Sequence, residues 1–571
     1  MAYFFDGRLW TTPAVMSRVD DSAMFNPNVN VGNVLTVIGR STDGKPNTAL
    51  SFGSPEQAKA ALVSGDLVDA ISRAFNASAE TAGPLTVIGV RVNPALQASY
   101  TLLDASSGQS IVLTSTGYGK RNNQIKVKVE AATTRGLKLT TQFGTSYFSQ
   151  DNIYRNAFTI RYAGAQASAR MTVSNTQVIL EAPNSTVVAT IELADYPTVQ
   201  ELVDRINAVI GFTATVNDGN GNKPTLNGLD AVSNQDVRTA DFIAKGDLQA
   251  AIDWFNGVGE GYINATRPVG GTLPPAVMPF KYLSGGSDGT VTNTEWSNAF
   301  TTLQSVDTQW VVPLSSAADI HAMADAHCAY MSGAARRERR AICGAPLATS
   351  DAAAIALAKA LNSDRTSITH LGGYDFNAAG DLVLYEPYIV AAMIAGAFAG
   401  LNPGTPMTNK SLRLRGLERK LRNPTDTDDL IEGGVLCVED TPTGYRVVKS
   451  ISTWLTNDNF NRVEQSVGVA LDFTARAVRQ AVSGLIGAKG SPTTMTLAKT
   501  RVETALAELA RPEPAGVGVL VGDVASPPYK NVNVTLSGDV MAISFQCSPV
   551  VPVNYIPVTI YAVPYSGSAS V

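Results

Sequence analysis

The distribution of apolar residues divides the first hundred positions into a strand, a helix and a second strand. Residues 34–39 and 85–92 are short apolar runs, as buried strands have. Between them, apolar residues recur every three or four positions over residues 54–75, which predicts one continuous helix. We therefore predict an α/β unit over residues 31–97. Residues 1–30 show no sustained period, and we predict an extended arm there.

A second pattern occupies residues 98–265, where short segments alternate apolar and polar side chains in the manner of half-exposed strands. A single helical stretch, residues 198–210, interrupts the series. Strands that alternate with helices return after it, beginning with the apolar run at 310–314. We therefore predict a mostly β domain over 98–265, inserted into an α/β core whose second part spans residues 266–425.

The C-terminal third predicts a helix-plus-sheet domain over residues 426–525 and a terminal segment over 526–571. Apolar periodicity indicates helices at 457–486 and 496–510. The terminal segment contains a hairpin and then residues 550–565, which are apolar, uncharged and interrupted by prolines. Such a segment would promote aggregation if left in water, so we expect a neighbouring subunit to cover it. The predicted fold class is a multidomain α/β and α+β protein with extended terminal arms.

Composition constrains the partners more than the fold. Hydrophobic residues make up 44% of the 571 positions and charged residues 16%, which suits a protein that buries surface against copies of itself. The net charge of −5 gives no reason to expect nucleic acid as a partner. The N-terminus does not resemble a secretory signal. The most apolar stretch, residues 387–400, is too short to span a membrane, so we predict a core helix and no direct membrane insertion.

The four cysteines are widely spaced and include no CxxC pair, which is neither a disulfide framework nor a zinc pattern. We interpret Cys328, Cys343, Cys437 and Cys547 as buried thiols of a chain made in a reducing cytoplasm. The alternative is that some of them lie at subunit contacts and cross-link after release. His327, Cys328 and Cys343 supply three ligand groups without a clear fourth, so we predict no metal and no cofactor.

One segment matches an enzyme motif. Residues 285–289 satisfy GxSxG, the turn that presents the nucleophilic serine of α/β-hydrolases. In that alternative, Ser287 would act with His370 and with either Asp325 or Asp364. The motif requires a buried strand before the turn and a helix directly after it, and the flanking residues predict neither. A turn that glycine makes sterically accessible is the favoured interpretation.

Two charge clusters also need interpretation. Residues 336–340 (RRERR) are interpreted as a solvated helix end. Residues 410–422 hold six basic residues against Glu418 alone, and an acidic group follows. The basic and acidic groups either neutralise each other within one chain or meet their opposites on the next copy of a repeating assembly, where they would set the register. The acidic residues are Asp426, Asp428, Asp429 and Glu432.

Several short motifs occur in an order that a known family shares. Near the N-terminus they are residues 37–39 (VIG), 43–47 (DGKPN) and 54–57 (SPEQ). The most specific motif is a GGxDG turn formed by Gly285, Gly286, Asp288 and Gly289. With a long C-terminal helix and a final proline-containing strand, this order resembles the tail sheath family of contractile phages and R-type tailocins. Residues 98–265 lie outside the resemblance.

The resemblance implies a structural protein and not an enzyme. Sheath subunits stack as hexameric rings around a tail tube and contract to drive the tube through the host cell envelope during genome delivery. The implied partners are further copies of the chain, the tail tube protein, baseplate proteins and tail terminator or neck proteins. The implied location is the virion, after assembly in the host cytoplasm. A static surface-lattice protein, which would form one fixed lattice, is the structural alternative.

The resemblance also implies two sets of contact residues. Terminal arms in this family add strands to sheets of neighbouring subunits. The matching arm residues here are Phe4, Phe5, Leu9, Trp10, Ile556, Val558, Ile560 and Ala562. Charged helix faces of the C-terminal domain contact the tube in this family. The matching candidates are Arg462, Arg476, Arg479, Lys499 and Arg501.

Overall fold

The computed structural model describes residues 3–5, 8–10, 33–258 and 261–567. Tyr3–Phe5 (β1) and Arg8–Trp10 (β2) pair with each other in antiparallel fashion within the predicted N-terminal arm. The first α/β unit comes next along the chain. Its elements are Val34–Gly39 (β3), Ala49–Phe52 (β4), Pro55–Leu62 (α1), Asp66–Phe75 (α2) and Thr86–Arg91 (β5).

The prediction of a single helix over residues 54–75 is wrong, because two helices occupy this stretch. Ser54 caps α1 by accepting a hydrogen bond from the backbone of Gln57, and α1 ends at Val63, whose φ is 69°. Gly65, with φ 110°, precedes α2. Since neither positive φ value can continue a right-handed helix, the chain turns between α1 and α2.

The inserted region is built mainly from short antiparallel strands. Its elements are Ser99–Leu103 (β6), Gln109–Ser115 (β7), Lys126–Ala131 (β8), Leu137–Phe143 (β9), Ser146–Ile153 (β10), Asn156–Tyr162 (β11), Arg170–Val173 (β12), Gln177–Glu181 (β13), Val187–Glu192 (β14), Val199–Asn207 (α3), Phe212–Val216 (β15), Val232–Asp236 (β16), Phe242–Lys245 (β17), Asp247–Gly257 (α4), Ile263–Thr266 (β18) and Met278–Tyr282 (β19).

These strands enclose two separate hydrophobic cores. One core lies between the sheets β18–β7–β6 and β10–β9–β8–β19 and helix α4. The other is formed by β15–β11–β17, β14–β13–β12–β16 and α3, and it is nested in the sequence between β10 and α4. Because β19 pairs with β8, the sheet of the insertion extends to Tyr282, beyond the boundary placed at 265 from sequence.

The chain then returns to the central core. The elements of this part are Asn293–Thr302 (α5), Trp310–Pro313 (β20), Ala318–Ser332 (α6), Arg340–Gly344 (β21), Asp351–Leu361 (α7), Thr366–Thr369 (β22), Gly373–Phe376 (β23), Leu382–Tyr385 (β24), Pro387–Ala399 (α8), Ser411–Leu412 (β25), Gly416–Leu417 (β26), Thr425–Glu432 (α9), Val438–Thr441 (β27) and Gly444–Val447 (β28).

Strands from both sides of the insertion form one six-stranded sheet. Its order is β22–β21–β20–β3–β5–β4, and all neighbours are parallel except β4 and β5. Apolar side chains leave the sheet on both faces, as expected for a parallel sheet covered by helices. One face packs against α2 and α8, and the other against α5, α6 and α7. The predicted core helix is confirmed, because almost every residue of α8 is buried.

The C-terminal unit follows this core. Its elements are Phe460–Val463 (α10), Gln465–Ser483 (α11), Pro492–Leu509 (α12), Tyr529–Ser537 (β29) and Val540–Cys547 (β30). The prediction of one helix over 457–486 is wrong, because Glu464 has extended backbone angles between α10 and α11. Residues 435–438 and 447 pack in the central core and not in the C-terminal unit. The chain is thus a mixed helix and strand protein of several domains.

Candidate assembly surface

The GGxDG turn joins the central core to the insertion. Oδ1 of Asp288 lies 3.2 Å from Nη2 of Arg91, whose side chain is completely buried at the end of β5. The same guanidinium donates through Nη1 to two backbone carbonyls, at 2.8 and 3.1 Å. The side-chain amide of Asn123 exchanges two hydrogen bonds with the backbone of Gly286, each 2.8 Å long. Gly285 and Gly289 adopt positive φ, which explains why the turn needs glycine at these positions.

The geometry does not support the hydrolase alternative. Ser287 lies within this structural turn, and in the described chain no helix begins directly after it. Nε2 of His370 lies 3.1 Å from Oδ1 of Asp351, so its carboxylate partner differs from both residues proposed from sequence. Asp325 instead accepts a hydrogen bond from a threonine hydroxyl, and Asp364 lies 3.8 Å from an arginine. The three groups of the proposed triad are therefore not assembled.

The cysteines are free thiols in the described structure. Cys328, Cys343 and Cys437 are buried, which confirms the interpretation for these three, whereas Cys547 is half-buried on β30. Burial raises the pKa of the Cys328 and Cys437 thiols to about 12, so both are protonated and unreactive at neutral pH. Among the described residues, no group of three or more His, Cys, Asp and Glu is placed to hold a metal ion. No helix there combines the length and apolarity needed to cross a membrane.

A buried arginine docks the C-terminal unit onto the central sheet. Arg340, at the start of β21, is 2% exposed. Its Nε lies 3.1 Å from Oδ2 of Asp472, and its Nη1 donates to Oε1 of Gln465 at 2.8 Å. Nη1 of Arg365 reaches the same Asp472 oxygen at 2.6 Å. A Cβ on Gly468 would overlap the guanidinium of Arg340, so a larger residue there would displace this guanidinium from its position against α11. We call these five residues the arginine clamp.

The interpretation of residues 336–340 as a solvated helix end is wrong for the last two arginines. Helix α6 ends at Ser332, and Arg339 is buried like Arg340. Its guanidinium donates to the carbonyls of Leu303 and Val306, at 3.0 and 2.8 Å, and to Nε2 of His327 at 3.1 Å. Sequence reasoning missed these three partners because the nearest of them, His327, is twelve residues away in the chain.

Replacing Arg340 with alanine should destabilise the docking of α11 by about 3–5 kcal/mol, because Asp472 and Gln465 would lose a buried partner. The measurement is the free energy of opening of α11 amides from hydrogen exchange, at concentrations where the protein is monomeric. Exposed Arg336 provides the matched control, and its alanine variant should change this value by less than about 0.5 kcal/mol. Equal protection of α11 in the Arg340 variant and the wild type would contradict the clamp.

The C-terminal unit ends in a two-stranded hairpin with unpaired edges. Helices α11 and α12 form a small core, and one face of the hairpin packs against it through Tyr529, Val532, Ile543 and Phe545. The opposite face is exposed. In the described chain no third strand joins β29 or β30, so each strand presents a free row of backbone donors and acceptors. An isolated hairpin is only marginally stable and gains from further strands.

The tail after this hairpin is extended and exposed. Residues 551–567 contain no helix or strand. Its large apolar side chains from Val553 to Tyr565 are between 76% and 97% exposed, and no charged residue accompanies them. Three of the four predicted arm contacts in the tail, Ile556, Val558 and Ile560, belong to this exposed set, and Ala562 is exposed as well. In a single subunit, the apolar tail that we expected a neighbouring subunit to cover is therefore exposed to solvent.

Within the described residues, the hydrogen bonds that hold the tail to its own subunit lie near its base. The backbone N–H of Val550 donates to the carbonyl of Val519 at 3.0 Å. The side-chain amide of Asn554 donates to Oε1 of Glu464 at 2.8 Å. Burial raises the pKa of the Glu464 carboxyl above its usual range. The two contacts set the direction in which the tail leaves the hairpin, and the residues beyond them project into solvent.

The N-terminal candidates lie in the paired strands β1 and β2, where Phe4 is opposite Leu9 and Tyr3 is opposite Trp10. Phe5 is opposite Arg8 in the same register. The side chains of these residues lie outside the described part of the structure, so their contacts as arm residues stay a prediction.

The five tube-facing candidates have different surroundings. Arg476 lies 3.0 Å from Asp307 and 3.3 Å from Glu338, and Arg479 lies 2.6 Å from Glu338. These two arginines therefore join α11 to the central domain. The guanidinium carbon of Arg462 lies 4.5 Å from the centre of a tryptophan ring. On α12, Lys499 is 3.9 Å from Glu503, its neighbour one helical turn on, and Arg501 is half-buried beside the end of α11.

Comparisons with known proteins show that this chain is similar to phage tail sheath proteins. The family model described as the phage tail sheath protein central domain matches residues 289–453. The tail sheath protein of Bacillus phage SP01 is 28% identical over 583 residues, covering 99% of this chain and 97% of the relative. These matches confirm the resemblance inferred from the sequence. The statement that residues 98–265 lie outside it is wrong, because the match covers 99% of the chain.

Two solved structures share the fold over nearly the whole chain. A sheath tail protein from Desulfitobacterium hafniense has a TM-score of 0.55 at 12% identity and covers 94% of this chain and 97% of that chain. A sheath tail protein from Listeria innocua also has a TM-score of 0.55 at 12% identity, with 90% and 92% covered.

Proposed function

We propose that this chain is a tail sheath structural protein of a contractile injection system, and that it polymerises as stacked hexameric rings around the tail tube. Contraction of this polymer would drive the tube through the host cell envelope during genome delivery. The observation that carries the proposal is the uncharged, exposed tail, which extends from a hairpin that has two unpaired edges. One subunit thus offers both a strand donor and a strand acceptor.

Strand donation between subunits satisfies both features at once. The backbone of a donated tail would complete the hydrogen bonds at a free edge of β29 or β30, and its apolar side chains would leave water. Each large apolar side chain that becomes fully buried contributes about 1.5–3 kcal/mol. Extended arms keep this link while the folded bodies rotate and slide, because a strand pairing does not require rigid docking of whole domains. The N-terminal arm, through Phe4, Phe5, Leu9 and Trp10, would supply a second link of the same kind.

The proposed tube contact lies on the C-terminal unit. Lys499 and Arg501 on α12 are the favoured candidates, because Arg476 and Arg479 are engaged with carboxylates of the central domain. Arg462 stays in the set through its exposed guanidinium beside α11. Further partners would be baseplate proteins at one end of the sheath and terminator or neck proteins at the other. The protein would be a virion component that assembles in the host cytoplasm.

Negative-stain electron microscopy of the purified protein tests this function. The expected result is hollow, transversely striated tubes at high protein concentration, in two forms that differ in diameter and length. A static lattice protein would give one fixed spacing under all conditions. Flat sheets alone, or monomers at every concentration, would contradict the proposal.

A further inference from the structure

Two patches of opposite charge on the central domain contain side chains that form no ion pair in the described part of the chain. Three of the six basic residues at 410–422 are neutralised within the subunit. Arg419 contacts Asp351, Lys420 lies 2.7 Å from Asp440, and Arg422 lies 2.6 Å from Asp426. Arg413 and Arg415 are exposed and form no ion pair within the described part of the chain. Neutralisation within one chain therefore accounts for only some of these basic residues.

Arg413 and Arg415 line a groove of about 800 Å³ between α2 and the β23–β24 hairpin. Lys59 lies on the same groove and is also exposed. The only carboxylates in the lining, Asp69 and Asp375, both pair with Arg73, at 3.3 and 3.2 Å. The other three cations of the lining thus have no carboxylate partner in the groove. We call Lys59, Arg413 and Arg415 the basic rim.

The basic rim also has an apolar side chain within it. Phe376 is 50% exposed at the tip of β23, and the guanidinium carbon of Arg415 lies 5.6 Å from the centre of its ring. A surface with cations around a half-exposed aromatic ring suits a protein partner that brings carboxylates.

Helix α9 carries the opposite charge. Asp428, Asp429 and Glu432 are exposed on one side of the helix, while Thr427 and Leu430 are buried on the other. None of the three acids forms an ion pair in the described residues. Like charges four positions apart destabilise a helix, and an acid in the last turn opposes the helix dipole. This arrangement is unfavourable in an isolated subunit and becomes favourable when cations approach. We call these three residues the acidic face.

The two patches lie on opposite sides of the central sheet. Leu412 and Leu414, beside the basic rim, pack in the core that contains α2 and α8. Leu430 of α9 packs in the core on the other face of the sheet, with α5, α6 and α7. They cannot meet within one rigid domain. Complementary patches on opposite sides of a subunit make head-to-tail contacts, which generate rings or helical polymers.

We propose that the acidic face of one copy docks on the basic rim of the next copy in the polymer. This contact rests on the proposed polymerisation. It would join the central domains of neighbouring subunits and fix their alignment, and it is separate from the strand exchange of the terminal arms. Charged contacts in such a position fix the alignment of subunits more than they add affinity. They also weaken as salt rises, because exposed charges are screened.

Charge exchange tests the contact. The variant Asp428→Lys/Asp429→Lys and the variant Arg413→Glu/Arg415→Glu should each raise the critical concentration for tube formation by at least about tenfold, since like charges would face each other. The variant with all four substitutions should return to within about threefold of the wild type. Sedimentation gives the critical concentration, and circular dichroism shows that each monomer is folded. The matched control reverses two exposed charges on the insertion, Asp195→Lys/Lys281→Glu, and should leave the critical concentration unchanged.

The outcomes separate this inference from the proposed function. If the wild type forms no tubes, polymerisation itself is refuted. If the wild type forms tubes and either reversed variant does so equally well, the contact is refuted and polymerisation stands. If both reversed variants fail but the fourfold variant does not recover, the two patches do not meet, and the proposal is overturned. An equal effect in the control would show a general response to charge and would also overturn it.

Discussion

A chain that ends at Asn554 should fold normally and form no tubes. The residues removed, 555–571, include most of the exposed apolar side chains of the tail, while the contacts of Val550 and Asn554 with the folded body remain. Because the removed side chains of the described tail are nearly all solvated in the monomer, the free energy of unfolding should change by less than about 0.5 kcal/mol. Polymerisation should be lost, since each subunit would lack a strand donor.

Sedimentation velocity and electron microscopy measure the effect of this truncation. The matched control is a chain that ends at Tyr565, which removes the last six residues but keeps the apolar segment, and it should polymerise like the wild type. A second variant, Ile556→Asp/Ile560→Asp, keeps the full length and places two carboxylates on one face of the tail. It should also stay monomeric, because burying unpaired charges is strongly unfavourable. Normal cylinders from the chain ending at Asn554 would show that the tail is not the link between subunits.

The parts of the fold that sequence predicts well are those with a local signal. The strands of the central sheet are buried on both faces, so β3, β5 and β20 appear in the sequence as short apolar runs. Helix α8 is apolar on every side because it is buried on every side. The extended conformation of the tail was also predictable, because prolines interrupt an apolar segment that has no helical period. Its cover by a neighbouring subunit stays a prediction.

Features that depend on distant partners were not predictable. Nothing near Arg340 in the sequence shows that Asp472 and Gln465, more than a hundred residues away, will bury its charge. The same applies to Arg476 and Arg479, which the sequence presents as a free helix face and the structure pairs with Glu338. A charged residue is usually exposed to solvent, and it is buried only where the fold brings partners to its charge.

The domain boundary that we predicted at residue 265 was wrong for a related reason. Strand β19 continues the sheet of the insertion, yet its pairing with β8 spans about 150 residues of sequence and leaves no local mark. The nesting of a second core between β10 and α4 is likewise a consequence of long-range strand pairing. The alternation of apolar and polar side chains identifies a half-exposed strand, but it does not show which other strands pair with it.

Lowering the pH from 7 to 4 should destabilise the monomer, chiefly through two buried histidines. Burial, together with nearby Arg339, lowers the pKa of His327 from 6.5 to about 4. Burial is also the main reason that the pKa of His370 is lowered to about 4. Between pH 6.5 and 4 the unfolded chain therefore binds protons that the folded chain does not. Each histidine should contribute about 3 kcal/mol of stability at pH 7 that is lost over this window.

A buried carboxyl group works in the opposite direction. Asp230 accepts hydrogen bonds from the backbone of Asp247 and Leu248 at the start of α4, and burial raises its pKa to about 6. In the folded state it takes up a proton before it would in the unfolded chain, so acidification from pH 6 to 3.8 adds stability at this site. Its contribution offsets roughly that of one histidine. From these three groups alone, the net loss between pH 6.5 and 4 should therefore be about 3–4 kcal/mol.

Two substitutions separate these contributions. His327 accepts a hydrogen bond from Arg339, and protonation would remove this acceptor and place two cations in contact. The variant His327→Gln keeps an acceptor oxygen and cannot titrate, so it should lose about 3 kcal/mol less stability than the wild type between pH 6.5 and 4. The variant Asp230→Asn should lose about 3 kcal/mol more, because the offsetting proton uptake is gone. Chemical denaturation at a series of pH values gives both slopes. Parallel pH profiles for the two variants would mean that neither group titrates with the shifted pKa, because the histidine and the carboxyl group change the slope in opposite directions.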